Sequence, residues 1–439
     1  MQQAFRASIF HCLADPGEKA SATAVEFLED GVLVVEDGVV VQLGSEEKVL
    51  PTLAPAVAVE DLSGKLILPG FIDCHVHFSQ LDIIASYGEQ LLDWLNRYAY
   101  PEEARFSDKG HADEVADAFV DELLRNGTTT ALVFATVFPQ SVDAIFEAAA
   151  ARNMRLVAGK VLMDINCPDE LRDDPASAYS DSKALIERWH GKGRLGYAIT
   201  PRFALTSSED QLAAAGRLAA EYPDTWVHTH LAENTAEVEE IATQFPWSRS
   251  YLDVYDHFGL LRERSIFAHC LHLDAADRAL MAEKGGAGAF CPTSNLFLGS
   301  GLFDLKSMHD SGIGVGLATD VGGGTSLSML RTMSEAYKVL HLQDQSLPAS
   351  RALYLATLGA AQALGLDHCI GNLEVGKEAD FIVLNVDGSS STSRRAAATS
   401  SIDELLFSLI FLGDDRNISA TYLQGRRAGS NVSSGHSTD

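Results

Sequence analysis

The sequence predicts an α/β protein, a (β/α)8 TIM barrel carrying a small β-sandwich domain assembled from the N- and C-terminal segments. Three observations point to it. Short apolar runs alternate with helical segments through the middle of the chain, β-rich and turn-punctuated segments flank that region on both sides, and histidines and acids gather where the apolar runs stop.

Residues 1–64 supply the first part of the sandwich. In "TAVEFLEDGVLVVEDGVVVQLG", three β-rich runs are divided at Asp30-Gly31 and Asp37-Gly38, dipeptides that favour hairpin turns. Residues 65–368 make the barrel, with eight strand candidates: "KLILPGFID" (65–73), "TTALVFATV" (129–137), "RLVAGKVLM" (155–163), "RLGYAIT" (194–200), "TWVHTHL" (225–231), "SIFAHC" (265–270), "GAGAFC" (286–291) and "GIGVGLATD" (312–320). Helices fit the gaps. Ala112, Val115, Ala116, Phe119, Val120 and Leu123 recur with helical spacing, and Asn126-Gly127 closes that helix. Residues 369–430 return to β texture in "GNLEVGKEADFIVLNVD" and "ISATYLQGRR" and complete the sandwich. Within them "DGSSSTSRRAAATSS" (387–401) reads as a flexible excursion, and the polar tail 431–439 as disordered.

The bulk properties narrow the partners. Of 439 residues 46% are hydrophobic and 21% charged, as in an ordinary globular protein, and a formal net charge of −28 argues against a nucleic-acid polymer. No apolar stretch is long enough to span a bilayer and the N-terminus lacks a signal-type core, so no membrane partner and a cytoplasmic location are expected. The six cysteines are scattered without a CxxC pair, which suits reduced thiols rather than disulfides or a cysteine zinc knuckle.

Barrel chemistry belongs at the C-terminal ends of the strands. The first strand ends in His75 and His77, which share a face because strand side chains alternate; the fifth ends in His228, His230 and Glu233; the sixth in His269 and His272; the eighth in Asp320. Convergence of these residues on one barrel mouth has no packing rationale and predicts a metal centre. Three imidazoles and one carboxylate, without a thiolate, suit one divalent ion, Zn2+ with Fe2+ as the alternative, and leave a position for water. His230 lies nearer the mouth than His228 and is taken as the ligand; His272 is either a supporting residue or exposed. Glu233, just past its strand, is placed to move a proton between water and a substrate ring nitrogen, the competing reading being a glutamate at a helix N-terminus. Asp320 would take the first proton from the water. Gly322, Gly323 and Gly324 permit close approach of the last loop but form no phosphate loop.

Taken together, "PGFIDCHVH", "HTHLAE", "AHCLH" and "LATDVGGG" resemble the mononuclear metal-dependent deaminase branch of the amidohydrolase superfamily. No lysine stands in "AITPRF", where binuclear branches carry one. Further strings, "LLDWLNRYAYPEEARF", "HFSQ", "TPRFALTSS", "CPTSNLFLGSGLF" and "ATDVGGGTSLSMLRTM", are similar to the guanine deaminase family. The resemblance implies hydrolytic deamination of guanine to xanthine and ammonia. It implies metal ligands at His75, His77, His230 and Asp320, a water-polarising His269 and a proton shuttle at Glu233. Substrate contacts would come from Gln80, Arg202 and Phe203, with His77, His230, Glu233 and Asp320 bordering the substrate, and the assembly would be a homodimer. The alternative within the superfamily is a deaminase of 8-oxoguanine, a pterin or another aminated heterocycle. The other zinc deaminase class needs PCxxC, absent here. A scaffold that had lost its chemistry would lack ligands that are all present.

Overall fold

The computed structural model describes residues 2–88 and 90–429. Its strands, in chain order, are β1 (Gln2–Cys12), β2 (Val25–Glu36), β3 (Val39–Ser45), β4 (Ala58–Pro69), β5 (Phe71–His77), β6 (Thr128–Phe134), β7 (Arg155–Gly159), β8 (Val161–Leu162), β9 (Leu195–Pro201), β10 (Trp226–Leu231), β11 (Ser265–His269), β12 (Ala287–Phe290), β13 (Val315–Leu317), β14 (Phe381–Leu384), β15 (Ile418–Leu423) and β16 (Arg426–Arg427).

The parallel sheet runs β5-β6-β7-β9-β10-β11-β12-β13, with β8 pairing beside β9. Backbone bonds from Asp320 N to His75 O (2.9 Å) and from His77 N to Val321 O (2.8 Å) join its two ends. The result is the expected eight-stranded barrel, with helices between its strands. The helix Lys109–Arg125 carries the six spaced apolar residues on its buried face, capped by the Asp108 side chain and ended at Asn126 and Gly127.

Both chain ends contribute to the second sheet, ordered β16-β15-β14-β4-β1-β2-β3. Two strands separate β1 from β15, so a flat sheet would hold their side chains roughly 14 Å apart. Phe5 on β1 and Tyr422 on β15 nevertheless lie 5.1 Å apart by ring centroid, and Phe381 stacks on Tyr422 at 4.4 Å. The sheet therefore curls over a shared core of Phe5, Ile9, Leu33, Val35, Phe381 and Tyr422.

Three local expectations change. "KLILPGFID" is not one strand: Lys65–Pro69 finishes β4, pairing with β14 and β1, and the barrel strand begins at Phe71. Gly70 is the junction, where an added Cβ would stand 2.1 Å from Thr129 Oγ1. Asp30-Gly31 makes no hairpin; β2 runs through it opposite a register irregularity in β1, whereas Asp37 and Gly38, with φ of 49° and 87°, do turn the chain between β2 and β3. The Ser-rich stretch is ordered as a helix, Ser390–Ala396, because Ser389 and Thr392 close a capping box around its first turn. The tail 431–439 lies outside the described residues. Among the described residues no helix is long and apolar enough to cross a membrane.

Candidate active site

β5 ends with His75 and His77 facing the barrel interior, and their Nε2 atoms stand 3.2 Å apart. His77 Nε2 is also 3.3 Å from His230 Nε2 and 3.4 Å from Asp320 Oδ1, which is itself 3.1 Å from His75 Nε2. Four donor atoms from β5, β10 and the end of β13 thus converge in a space suited to one ion. Burial keeps two of these imidazoles neutral: His77 is pushed down to about 4, and His230 well below the ordinary histidine value, each first by desolvation. Neutral rings offer lone pairs, and nitrogens that face one another beside the Asp320 carboxylate are the donor set a divalent ion requires.

Neighbouring groups aim those nitrogens. His230 Nδ1 donates to the Arg202 carbonyl (2.6 Å), leaving Nε2 turned inward. His228, the other member of the β10 pair, lies beneath the site and meets His75 Nδ1 at 2.7 Å through Nε2. It supports His75 rather than joining the cluster, and His272 is exposed. Phe134 on β6 packs against His75, His77, His228 and His230 with centroids 4.4–5.1 Å away, an apolar floor that no motif singled out.

His269 presents a choice. Ligand atoms of His75, His230, His269 and Asp320 all lie within 4.8 Å of one another, a set that replaces His77 with His269. Asn295 Nδ2–H, however, donates to His269 Nδ1 (2.9 Å), which places the ring proton on Nε2. A protonated nitrogen cannot bind a metal; it can donate towards Asp320 Oδ2, 3.8 Å away, or Glu233 Oε2, at 3.4 Å. His269 and Asp320 also hold left-handed backbone, φ 74° and 50°, a cost of about 1–3 kcal/mol each that aims them into the mouth.

Glu233 is buried, with Oε1 accepting from Ser300 Oγ at 2.9 Å. Desolvation, then the nearby Asp320 and Glu237 carboxylates, raise its pKa well above the ordinary glutamate value. The role of helix-terminal glutamate belongs instead to Glu237, in the capping box of Thr235–Gln244. Its Oε2 accepts the backbone N–H of Glu233 (3.0 Å) and Asn234 (3.2 Å), and its Oε1 the Tyr251 hydroxyl (2.7 Å), so it fixes the turn that delivers Glu233.

Burial, opposed by those bonds, lifts Glu237 from 4.5 to about 6. The folded chain then binds this proton more tightly than the unfolded one, so the stabilisation is complete below the unfolded pKa and is lost as pH rises through about 6. Comparing urea unfolding of wild type and Glu237→Gln, the difference should move by about 2 kcal/mol in the variant's favour between about pH 4 and about pH 7. A pH-independent difference would refute the shift.

The pocket above the cluster is lined by His77, Gln80, Arg202, Phe203, His230, Glu233, His269 and Asp320, with Leu91, Trp94, Leu95, Leu298 and Gly323. Arg202 also pairs with an acid, its Nη1 donating to Glu103 Oε2 at 2.6 Å, and its guanidinium lies 5.1 Å from the Tyr100 ring centre. Gln80 Nε2 donates to Glu103 Oε1 at 2.8 Å, and Gln80 Oε1 accepts the Gly322 N–H at 3.1 Å. Glu103, from the helix Tyr100–Ala104, is a site residue that the sequence reading did not reach.

Residues 66–428 match the model of the Amidohydrolase family. The guanine deaminase of Escherichia coli (strain K12) is 51% identical over 405 residues, covering 92% of each chain. The solved E. coli guanine deaminase superposes with a TM-score of 0.95 at 50% identity, covering 97% of this chain and 99% of that one. A guanine deaminase from C. acetobutylicum with guanine bound in its active site gives 0.90 at 28% identity, covering 98% of this chain and all of the other (100%). Sequence, fold and the His/Asp cluster at the barrel mouth agree: the chain belongs to the amidohydrolase family, among its guanine deaminases.

Proposed function

We infer that the chain hydrolyses guanine to xanthine and ammonia. The observation that carries this reading is one pocket lined both by His77, His230, Asp320 and Glu233 and by Gln80, Arg202 and Phe203. The relatives named guanine deaminase support it, as does the guanine held by one of them.

In this assignment His75, His77, His230 and Asp320 hold one divalent ion per subunit, Zn2+ by donor type, with Fe2+ the alternative. When bound, such an ion lowers the pKa of a coordinated water to about 7. The chain's own groups do the rest. Asp320 receives the proton that the attacking water loses, and His269 Nε2–H orients that water. Phe203 covers a face of the base, while Gln80 and Arg202 donate to its oxo and ring-nitrogen acceptors. Oxygen adds at C2 as Glu233 protonates N3; the resulting carboxylate then takes the proton of the new C2 hydroxyl and passes it to the exocyclic nitrogen, so that the C2 oxo group forms as ammonia leaves. An adenine would turn an amino donor towards the donors of Arg202 and Gln80, and a buried mismatch of that kind is rejected strongly.

Ammonia release from guanine, 8-oxoguanine, adenine, cytosine and a pterin tests the reading on protein of measured metal content. Turnover centred on guanine is expected; a metal-loaded protein active only on another base would overturn the substrate. A homodimer in the cytoplasm is proposed with it; the metal content and solution mass of that preparation test Zn2+ and the dimer.

A further inference from the structure

Glu103 does not itself line the pocket, yet it is bonded to both Gln80 and Arg202, which do. All three side chains are almost fully buried, at 1%, 2% and 2% exposure respectively. Its carboxylate can only accept and the Gly322 N–H can only donate, so the Gln80 amide between them has one orientation, Oε1 towards Gly322 and Nε2 towards Glu103. The same carboxylate places a negative charge against the buried guanidinium, making the recognition side of the pocket a neutral pair rather than a free cation.

We propose that Glu103 is a positioning residue for purine recognition, which fixes the donors of Gln80 and Arg202 and cancels the Arg202 charge so that the neutral oxopurine substrate is held in preference to its more acidic product. The proposal rests on the guanine reading above. Xanthine carries a second oxo group, ionises more readily than guanine, and as an anion would be retained by an unpaired guanidinium. Glu103 thereby favours product release as well as substrate orientation.

Glu103→Gln is the test, because the amide keeps the shape while removing one acceptor and the charge. Inhibition by xanthine and KM for guanine are to be measured below and above the first ionisation of xanthine. KM is expected to rise more than kcat falls, and the ratio of xanthine Ki to guanine KM to drop by about ten-fold, most strongly where xanthine is anionic. Glu103→Asp keeps the charge but shortens the bridge, so its KM should rise while the wild-type pH trend of inhibition is retained. A folded Glu103→Gln protein with the wild-type ratio and pH trend overturns the proposal. If that variant does not fold, an unchanged guanine KM in Glu103→Asp overturns it instead. A wild-type enzyme that does not deaminate guanine would strike the functional reading, a result separable from either of these.

Discussion

Glu233→Gln should lower kcat for guanine by about 10²–10⁴-fold while leaving the bound metal in place. The side chain is not among the converging donors; it reaches the pocket from the turn after β10, held by Ser300 through Oε1 and by Glu237 through the backbone. Glutamine fits that space and can still accept from Ser300, so structure and metal binding have no reason to change. What it lacks is a transferable acid proton. Burial keeps the glutamate's proton on the carboxyl until a base nitrogen is presented, and an amide offers no equivalent. Steady-state kinetics beside metal analysis decides it: a fully metallated variant within ten-fold of wild-type kcat would remove Glu233 from the proton path.

The barrel and its mouth were legible because they rest on short-range rules. Strand alternation puts His75 with His77, and His228 with His230, on one face each, and barrel topology brings strand ends together however far apart they lie in sequence. Choosing between His228 and His230 required depth along the strand, and the choice shows in their partners: one meets His75, the other the Arg202 carbonyl. Glu103 was hidden because "PEE" carries two adjacent acids of equal composition. Only the fold sends Glu103 inward to Gln80 and Arg202, while Glu102 pairs with Arg105. The junction at Gly70 was hidden for a similar reason: both sides of it are apolar and β-prone, and the change of sheet leaves no mark in the pattern beyond one glycine. In the Ser-rich stretch, composition suggested a linker, but serine and threonine are also the residues that cap helices, and Ser389 and Ser401 do so.

His77→Ala should abolish metal binding and turnover together, whereas His269→Asn should keep the metal and lose about 10²–10³-fold in kcat. Mutual distance alone would group His269 with His75, His230 and Asp320, so the two variants test opposite assignments. His77 Nε2 touches three members of the cluster at 3.2–3.4 Å and has no hydrogen to spare if it binds a cation. Against His269 as a ligand stands the Asn295 amide, whose N–H occupies Nδ1 and drives the ring proton to the nitrogen that faces the site. Loss of a supporting group around a metal typically costs 10–100-fold in affinity, so loss of a true ligand should exceed about 100-fold, which a competition assay with a chelator resolves. A metal-free His269→Asn beside a metallated His77→Ala would reverse the two roles and require the Asn295 amide to be turned, with its oxygen accepting from Nδ1–H.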